Sequence, residues 1–248
     1  PITKEVLAVY IKARMDQDCG PTIPDSFRST AVWISQRLGM DPPDTQAPEI
    51  LAIRDQVVQS RGKELREAVP YLVELIKAME EQFPALPDPV AALVWWALVM
   101  IGASLRFDDA KHVTTGSLEM QERALLGISW RTKTTKDLRG IKFACPRAGL
   151  SSQDWLMTGW DIFQKTFPGD RDFWMPAIST VATSKDGRGV QVDLQRPVEF
   201  APSLGALRAA LTTIAEQAKL PQGVVEEIPR ITWHSCKVTV LSLAVARG

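Results

Sequence analysis

Apolar residues recur every three or four positions through the first 83 residues of the chain. This period is typical of amphipathic helices and predicts four of them before residue 84. The corresponding stretches are 6–11, 27–38, 49–60 and 72–83. Asp25 and Ser26 precede the second stretch, where their side chains can accept hydrogen bonds from the free amides of a first turn. We therefore predict an all-helical domain over residues 1–83.

The apolar pattern stops at residues 84–89 and resumes in a different form. Residues 83–89 include three prolines, and proline cannot continue a helix because it lacks the amide hydrogen. We predict an interdomain linker over 84–89, with Asp88 capping the next helix. Residues 90–103 are then apolar on every side, which predicts a helix at the centre of a second domain that spans 90–248.

The second predicted domain mixes short strands with helices. Residues 124–130 and 140–145 are short apolar runs around a basic turn, and they predict two strands. Helices with apolar faces are predicted over 155–167, 204–218 and 233–248. Residues 168–202 contain several prolines and glycines, which predicts further short strands or loops. The predicted fold class is mainly α with a small β-sheet.

Positive and negative charges balance over the whole chain but not locally. Lysine plus arginine and aspartate plus glutamate each total 29, which argues against a protein that coats nucleic acid indiscriminately. Within residues 131–147, however, the only acidic residue is Asp137. The basic residues of this segment are Arg131, Lys133, Lys136, Arg139, Lys142 and Arg147. Composition alone is compatible with a solvated basic loop, and segregated charge leaves DNA binding open.

Composition also argues against a disulfide framework, a metal site and a membrane span. The three cysteines are odd in number and lack a Cys-x-x-Cys spacing, which favours a reducing intracellular compartment. His112 and His234 have no nearby ligand pair, so we expect neither a metal nor another cofactor. The most apolar run, residues 90–103, has 14 residues and is too short to cross a bilayer, so no membrane partner is expected.

Three separate segments carry charged residues suited to chemistry. Arg106 follows the buried helix and precedes two acids, and Lys133 lies at a strand end beside a tight basic turn. His234 and Lys237 form a His-x-x-Lys at the start of the last helix. Each segment also has a simpler explanation. Arg106 could form an ion pair with the neighbouring acids, and Lys133 could be a solvated turn residue. His234 could cap a helix or make its hydrogen bonds within the core. None of these explanations predicts the three segments together in this order.

This order resembles the tyrosine recombinase (phage-integrase) family, and most closely the divergent recombinases of eukaryotic mobile elements. In that family an arginine at the end of a buried helix is followed by an acid, then by a lysine on a β-hairpin, then by a His-x-x-Arg box that opens a helix. The resemblance covers residues 88–248, and the preceding helices are similar to the family's core-binding domain. It implies a DNA-binding protein whose complete form cuts and rejoins strands through a 3′-phosphotyrosine, in DNA recombination or integration.

The resemblance also implies roles for individual residues. Arg106 would clamp the oxygens of a phosphodiester, oriented by Asp109, and Lys133 would protonate the leaving 5′ oxygen. His234 would assist proton movement. Lys237 stands where the family usually has a second arginine, and a lysine supplies charge without a bidentate guanidinium. The basic segment 131–147 would face the DNA backbone.

The family's nucleophile has no counterpart in the chain. Only 11 residues follow Lys237, whereas the family's tyrosine lies well downstream of this box. Tyr10 and Tyr71 are the only tyrosines, and both lie in the predicted N-terminal helices. We therefore expect the chain to be inactive alone, either as a fragment of a longer enzyme or as a remnant kept for binding or assembly.

The expected partner is double-stranded DNA, and a homo-oligomer on DNA is compatible with the family resemblance. A eukaryotic source would place the protein in the nucleus. The alternative is a non-catalytic module, either a domesticated DNA-binding protein or a helical protein–protein interaction domain. Eight tryptophans would suit the interaction domain, because tryptophan is enriched in binding hot spots.

Overall fold

Two segments of the chain, Pro1–Glu67 and Ala68–Gly248, form separate units in the computed structural model of the protein. The structure describes residues 3–15, 17, 23–61, 68–130, 140–182 and 188–247. Arg131, Lys133, Lys136 and Arg139 lie outside the described residues, so their predicted roles stay predictions.

The described part of the first unit is built from helices, as the hydrophobic pattern predicts. These are α1 (Lys4–Met15), α2 (Ile23–Arg37) and α3 (Pro48–Arg61). They share a small apolar core formed by Leu7, Ile11, Ala31, Ala47 and Ile50. Asp25 lies in the first turn of α2, where it forms ion pairs with Arg28 at 2.9 Å and with Arg54 of α3 at 3.2 Å. Asp25 therefore links two helices.

The second unit contains the remaining helices and all strands of the described residues. The helices are α4 (Val73–Gln82), α5 (Asp88–Gly102), α6 (Phe107–Lys111), α7 (Trp155–Thr166), α8 (Phe200–Gln217), α9 (Gln222–Glu227) and α10 (Trp233–Arg247). The strands are β1 (Glu119–Met120), β2 (Ala124–Ser129), β3 (Ile141–Pro146), β4 (Pro176–Ala182) and β5 (Arg188–Pro197). Single 3-10 turns occur at Phe83–Ala85, Thr115–Ser117 and Ile228–Arg230. Across the described ranges, no helix combines the length and the apolarity needed to span a membrane.

The predicted linker at 84–89 lies inside the second unit rather than between the units. Its prolines do separate two helices, because a 3-10 turn stands between α4 and α5. However, the apolar face of α4 belongs to the core of the second unit, where Leu75, Met79 and Phe83 are buried. The predicted boundary is therefore corrected to 67/68, because a shared core defines a domain and prolines mark only the ends of helices.

Helix α5 forms the centre of the second unit, as its uniform apolarity predicts. All its residues from 90 to 101 are buried, and α4, α7, α8 and α10 pack against it. Trp95 and Trp96 both contact Trp174 edge to face, with ring centroids 5.9 and 6.4 Å apart. The Trp95 indole nitrogen donates a hydrogen bond to the Leu156 carbonyl at 3.2 Å, so burial leaves this polar atom satisfied.

Two small antiparallel sheets complete the second unit. Strands β1, β2 and β3 form one sheet in that order, and β4 pairs with β5 in the other. Leu125 lies opposite Cys145 and both are buried, whereas Ile128 lies opposite the exposed Lys142 on the outer face. The two predicted strands are confirmed, and a hairpin occupies much of residues 168–202. The fold is therefore mainly helical with a small antiparallel sheet, as predicted.

Candidate functional site

Helix α5 ends in a left-handed turn that places Arg106 at the edge of the core. Ser104 has a φ of 52°, and its amide donates to the Ile101 carbonyl at 3.0 Å. The Leu105 amide reaches back to the Met100 carbonyl at 2.9 Å, which closes the helix end. Leu105 is buried and Arg106 is half-buried. The arginine therefore leaves the core directly before α6 begins.

Asp109 contacts Arg106 through the main chain. Its Oδ2 accepts a hydrogen bond from the Arg106 amide at 3.3 Å, as acids in the first turn of a helix commonly do. Among the described residues, no ion pair joins the Arg106 side chain to Asp108 or Asp109, so the Asp109 carboxylate contacts the main chain of Arg106 and not its guanidinium. The Ser129 hydroxyl at the end of β2 donates to the Asp109 carbonyl at 2.7 Å, which fastens the sheet to α6.

The first turn of α10 is held in place by helix α8. The Trp233 indole is fully buried and donates to the Ser203 hydroxyl at 3.2 Å. The Arg208 guanidinium donates from Nε and Nη2 to the Ile231 carbonyl at 2.9 and 2.7 Å. With its core-facing tryptophan fixed, α10 presents His234 to solvent and leaves Lys237 half-buried. His234 is therefore not a core histidine.

The Arg106 turn meets the first turn of α10 through contacts on both sides of the arginine. On one side, the Ser104 hydroxyl donates to the Lys237 carbonyl at 3.2 Å. On the other, the Phe107 ring lies 5.5 Å from the Trp233 ring, measured between centroids. Phe200 bridges the same place, because its ring centroid lies 5.2 Å from that of Phe107 and 5.9 Å from that of His234. Segments more than 100 positions apart in the sequence thus come together.

Arg106, His234 and Lys237 are called the basic junction below. Arg106 and Lys237 have no ion-pair partner among the described residues. A partly buried cation without an acidic partner costs free energy, because it loses water and gains no opposite charge. The basic junction is therefore suited to an anion that comes from outside the chain.

Lys142 and Arg147 of the predicted DNA-facing segment differ from the cations of the basic junction, because Lys142 is exposed and Arg147 already has an acidic partner. Lys142 is exposed on the outer face of β3. Arg147 is held by Asp154 through two hydrogen bonds, one of them from Nε at 2.8 Å, and its Nη1 donates to the Glu122 carbonyl at 3.0 Å. This contact raises the pKa of Arg147 and lowers that of Asp154. The charge of Arg147 is thus already neutralised within the fold.

The two tyrosines differ in exposure, because Tyr71 is buried and Tyr10 is exposed. The Tyr71 side chain is fully buried, with its hydroxyl 4.0 Å from the Cys236 thiol, and burial raises its pKa well above the usual range. Within the first unit, the Tyr10 hydroxyl accepts a hydrogen bond from Arg14 Nε at 3.0 Å. Phosphotyrosine chemistry needs an accessible tyrosine hydroxyl at the phosphate, and Tyr71 does not supply it.

Other reactive groups in the described residues are buried or dispersed. Cys145 and Cys236 are buried free thiols, and burial raises the pKa of each to about 12. Such thiols remain protonated and unreactive near neutral pH. Within the described ranges, no group of three potential metal ligands comes together. The basic junction is thus the only cluster of the sequence-predicted residues that the described part of the chain assembles.

Sequence reasoning missed two residues that hold the basic junction. Ser104 gave no signal, because nothing local distinguishes a serine with positive φ from one in an ordinary turn. Arg208 carried a weak signal, since it is the one basic residue of α8 and follows the apolar positions of that helix. Its partner, the Ile231 carbonyl, lies 23 positions away and could not be read from the pattern.

Comparison with known proteins finds a likeness among solved structures and no match in sequence. No protein-family model and no curated protein matches the sequence. Among solved structures, the chain is similar to one described as XerH site-specific recombinase bound to difH substrate, in a pre-cleavage complex. The two chains share 9% identity with a TM-score of 0.43, and the alignment covers 93% of this chain and 61% of that one. The function is therefore inferred from this chain's own contacts.

Proposed function

We propose that this chain binds double-stranded DNA by holding a backbone phosphate at the basic junction, as the DNA-binding core of a tyrosine-recombinase-like protein. One observation carries the proposal: Arg106 and Lys237 are half-buried, the Ser104 turn next to Arg106 is bonded to the main chain of Lys237, and neither cation forms an ion pair among the described residues. A phosphodiester would supply the missing negative charge. The order of these residues in the sequence, which resembles the recombinase family, supports the same ligand.

Each member of the basic junction suits a different part of a phosphate. The Arg106 guanidinium offers a planar fork of donors for two non-bridging oxygens. Lys237 adds a point charge, and the exposed His234 imidazole can donate to a further oxygen. These residues belong to or adjoin the first turn of α10, where free amides carry a partial positive charge that also favours an anion.

We propose binding, and not strand cleavage, for the chain by itself. Charge-stabilising groups lower a barrier, but the covalent pathway also requires the attacking hydroxyl. Tyr71 is buried, and Tyr10 is hydrogen-bonded to Arg14 in the first unit. The proton-transfer roles of Lys133 and His234 would be realised only when a tyrosine is supplied at the phosphate.

A salt titration tests the proposal. Binding of fluorescein-labelled duplex DNA is measured by anisotropy between low and moderate salt, for the wild type, for Arg106→Gln and for Arg230→Gln. Arg230 is the matched control, because this exposed arginine is already paired with Glu227 at 2.7 Å. We expect affinity to fall steeply with salt, and Arg106→Gln to reduce the slope of log K against log salt by about one. Wild-type affinity that is absent or independent of salt would overturn the proposal.

One observation favours the alternative of a protein–protein interaction module. Helix α10 exposes Val240, Leu241 and Val245, the last with 82% of its surface accessible. A run of exposed apolar side chains on one helix suits an apolar partner better than it suits DNA. Binding to such a partner would be insensitive to salt and to Arg106→Gln, so the same titration separates the two functions.

A further inference from the structure

The turn between α5 and α6 contains an unusual backbone conformation. Ser104 and Lys219 both have a φ of 52°, and they are the non-glycine residues with positive φ in the described ranges. Left-handed backbone is unfavourable for residues that carry a Cβ, and glycine adopts it freely. For Lys219 the conformation ends α8, as the Leu220 amide returns to the Ala215 carbonyl at 2.9 Å. A glycine at either position would adopt this left-handed conformation with less strain.

Ser104 differs from Lys219 in what its side chain does. The Ser104 hydroxyl donates to the Lys237 carbonyl at 3.2 Å, across 133 positions of sequence. The bond joins the end of α5 to α10, and Arg106 follows only two residues later. A glycine at position 104 would relieve the backbone but would remove this connection. The hydroxyl therefore gives a reason for a strained serine at the turn.

We infer that Ser104 is a positioning residue that holds Arg106 at a fixed distance from Lys237, so that both cations reach one phosphate. The inference rests on the proposed function. A hydrogen bond to the main chain of Lys237 fixes the start of that side chain, and the turn that follows Ser104 fixes the start of the Arg106 side chain. Holding two ligand-binding groups at the correct spacing before the ligand arrives lowers the entropy lost on binding.

The aromatic contact on the other side of Arg106 makes this inference testable without unfolding the protein. Phe107 is buried and packs against Trp233, so α6 stays attached to α10 when the Ser104 hydroxyl is removed. Loss of the hydroxyl should then loosen the spacing of the two cations and leave the core intact. Binding is thus expected to weaken while the fold is retained.

The experiment compares Ser104→Gly with Ser104→Ala in the full chain. Both substitutions remove the hydroxyl, but only glycine relieves the positive φ. We expect Ser104→Gly to be at least as stable as the wild type in urea, and Ser104→Ala to be less stable than Ser104→Gly. Both should bind labelled duplex DNA about three- to tenfold more weakly, which corresponds to one lost hydrogen bond. Lys219→Gly is the matched control for relief of strain, and it too should be at least as stable as the wild type.

A double-mutant cycle separates positioning from a general structural effect. In the Arg106→Gln background, Ser104→Gly should change DNA affinity by less than about 1.5-fold, because the group that it positions is gone. An equal loss in both backgrounds would overturn the inference. Wild-type affinity in Ser104→Gly, together with weakened binding in Arg106→Gln, would overturn the inference and leave the proposed function standing. A wild type that does not bind DNA would overturn both.

Discussion

Helix α5 contributes to two regions with opposite properties. Along its length it forms a core in which Trp95 and Trp96 are fully buried and contact further aromatic rings. At its C-terminal end it leads into the basic junction, where Ser104 has left-handed backbone and two half-buried cations lack acidic partners. The core consists of apolar rings that pack against one another within the chain, although the indole nitrogens of Trp96 and Trp174 have no hydrogen-bond partner among the described residues. The basic junction consists of groups whose contacts are incomplete.

This difference indicates where the second unit gains stability and where it loses it. Buried apolar side chains each contribute about 1.5–3 kcal/mol, whereas a partly buried unpaired cation lowers stability. Proteins commonly retain such unfavourable groups where a ligand supplies the missing interaction. Substitutions in the core should therefore change folding alone, and substitutions in the basic junction should change stability and binding in opposite directions.

The largest expected effect is on the core side of the comparison. A Cβ at Gly159 of α7 would lie 1.9 Å from the ring of Trp95, a buried side chain that cannot move away. We expect Gly159→Ala to lower the free energy of unfolding by about 3 kcal/mol, measured by urea denaturation. Gly205→Ala is the control, because the Cβ at that helical position meets nothing within 4 Å. It should stabilise the protein by about 0.5–1 kcal/mol, and equal effects at both positions would contradict the packing described here.

The next effect concerns the cations of the basic junction. Lys237→Met keeps the side-chain length and removes the charge, so it should weaken binding to duplex DNA about tenfold. The same substitution should raise the free energy of unfolding by about 0.5–1 kcal/mol, because a half-buried charge without a partner is no longer desolvated. Lys219→Met removes an exposed charge and should leave the stability within about 0.5 kcal/mol of the wild type. Lower stability in Lys237→Met would show that this cation already has a favourable partner.

A smaller effect is expected where the charge is already neutralised. Arg147 belongs to the basic segment predicted from the sequence, but Asp154 holds its guanidinium. Arg147→Gln should therefore change DNA affinity by less than about twofold, while the salt dependence stays near that of the wild type. Asp154→Asn releases the same guanidinium and serves as the reciprocal variant, in which DNA binding should become tighter. A tenfold loss of DNA affinity in Arg147→Gln would show that this arginine contacts DNA after all.

The smallest expected effect is none at all. With nicked suicide substrates, the chain should form no covalent protein–DNA adduct on a denaturing gel, because Tyr71 is buried. Tyr71→Phe should consequently leave both DNA binding and the absence of an adduct unchanged. An adduct that disappears in Tyr10→Phe or Tyr71→Phe would identify a nucleophile and overturn the binding-only function.

The sequence predicts the parts of this fold that depend on local periodicity. The buried helix α5, the two strands of the β2–β3 hairpin and the helix that begins at the His-x-x-Lys all follow from apolar spacing. The domain boundary does not, because the prolines at 84–89 end a helix without separating two cores. A boundary depends on which faces share a core, and that is a property of the folded chain.

The candidate site, too, could be predicted only in part from the sequence. Arg106, His234 and Lys237 could be selected from the sequence because their order resembles a known family. The residues that hold them could not, since the bonds of Ser104 to Lys237 and of Arg208 to Ile231 join distant positions. Long-range bonds leave no periodic signal in the sequence. Prediction from sequence thus reaches the groups that would contact a ligand before it reaches the groups that position them.

The hydrogen bond between Tyr71 and Thr239 has a consequence for synthesis of the protein on the ribosome. The Tyr71 amide is buried and donates to the Thr239 hydroxyl at 2.9 Å, across 168 positions of sequence. Until α10 has left the exit tunnel, this amide lacks its partner and the aromatic core lacks Trp233. Closing so long a loop is slow and happens late, after local helices have formed. A nascent chain therefore completes this hydrogen bond and this aromatic core only after α10 has been synthesised.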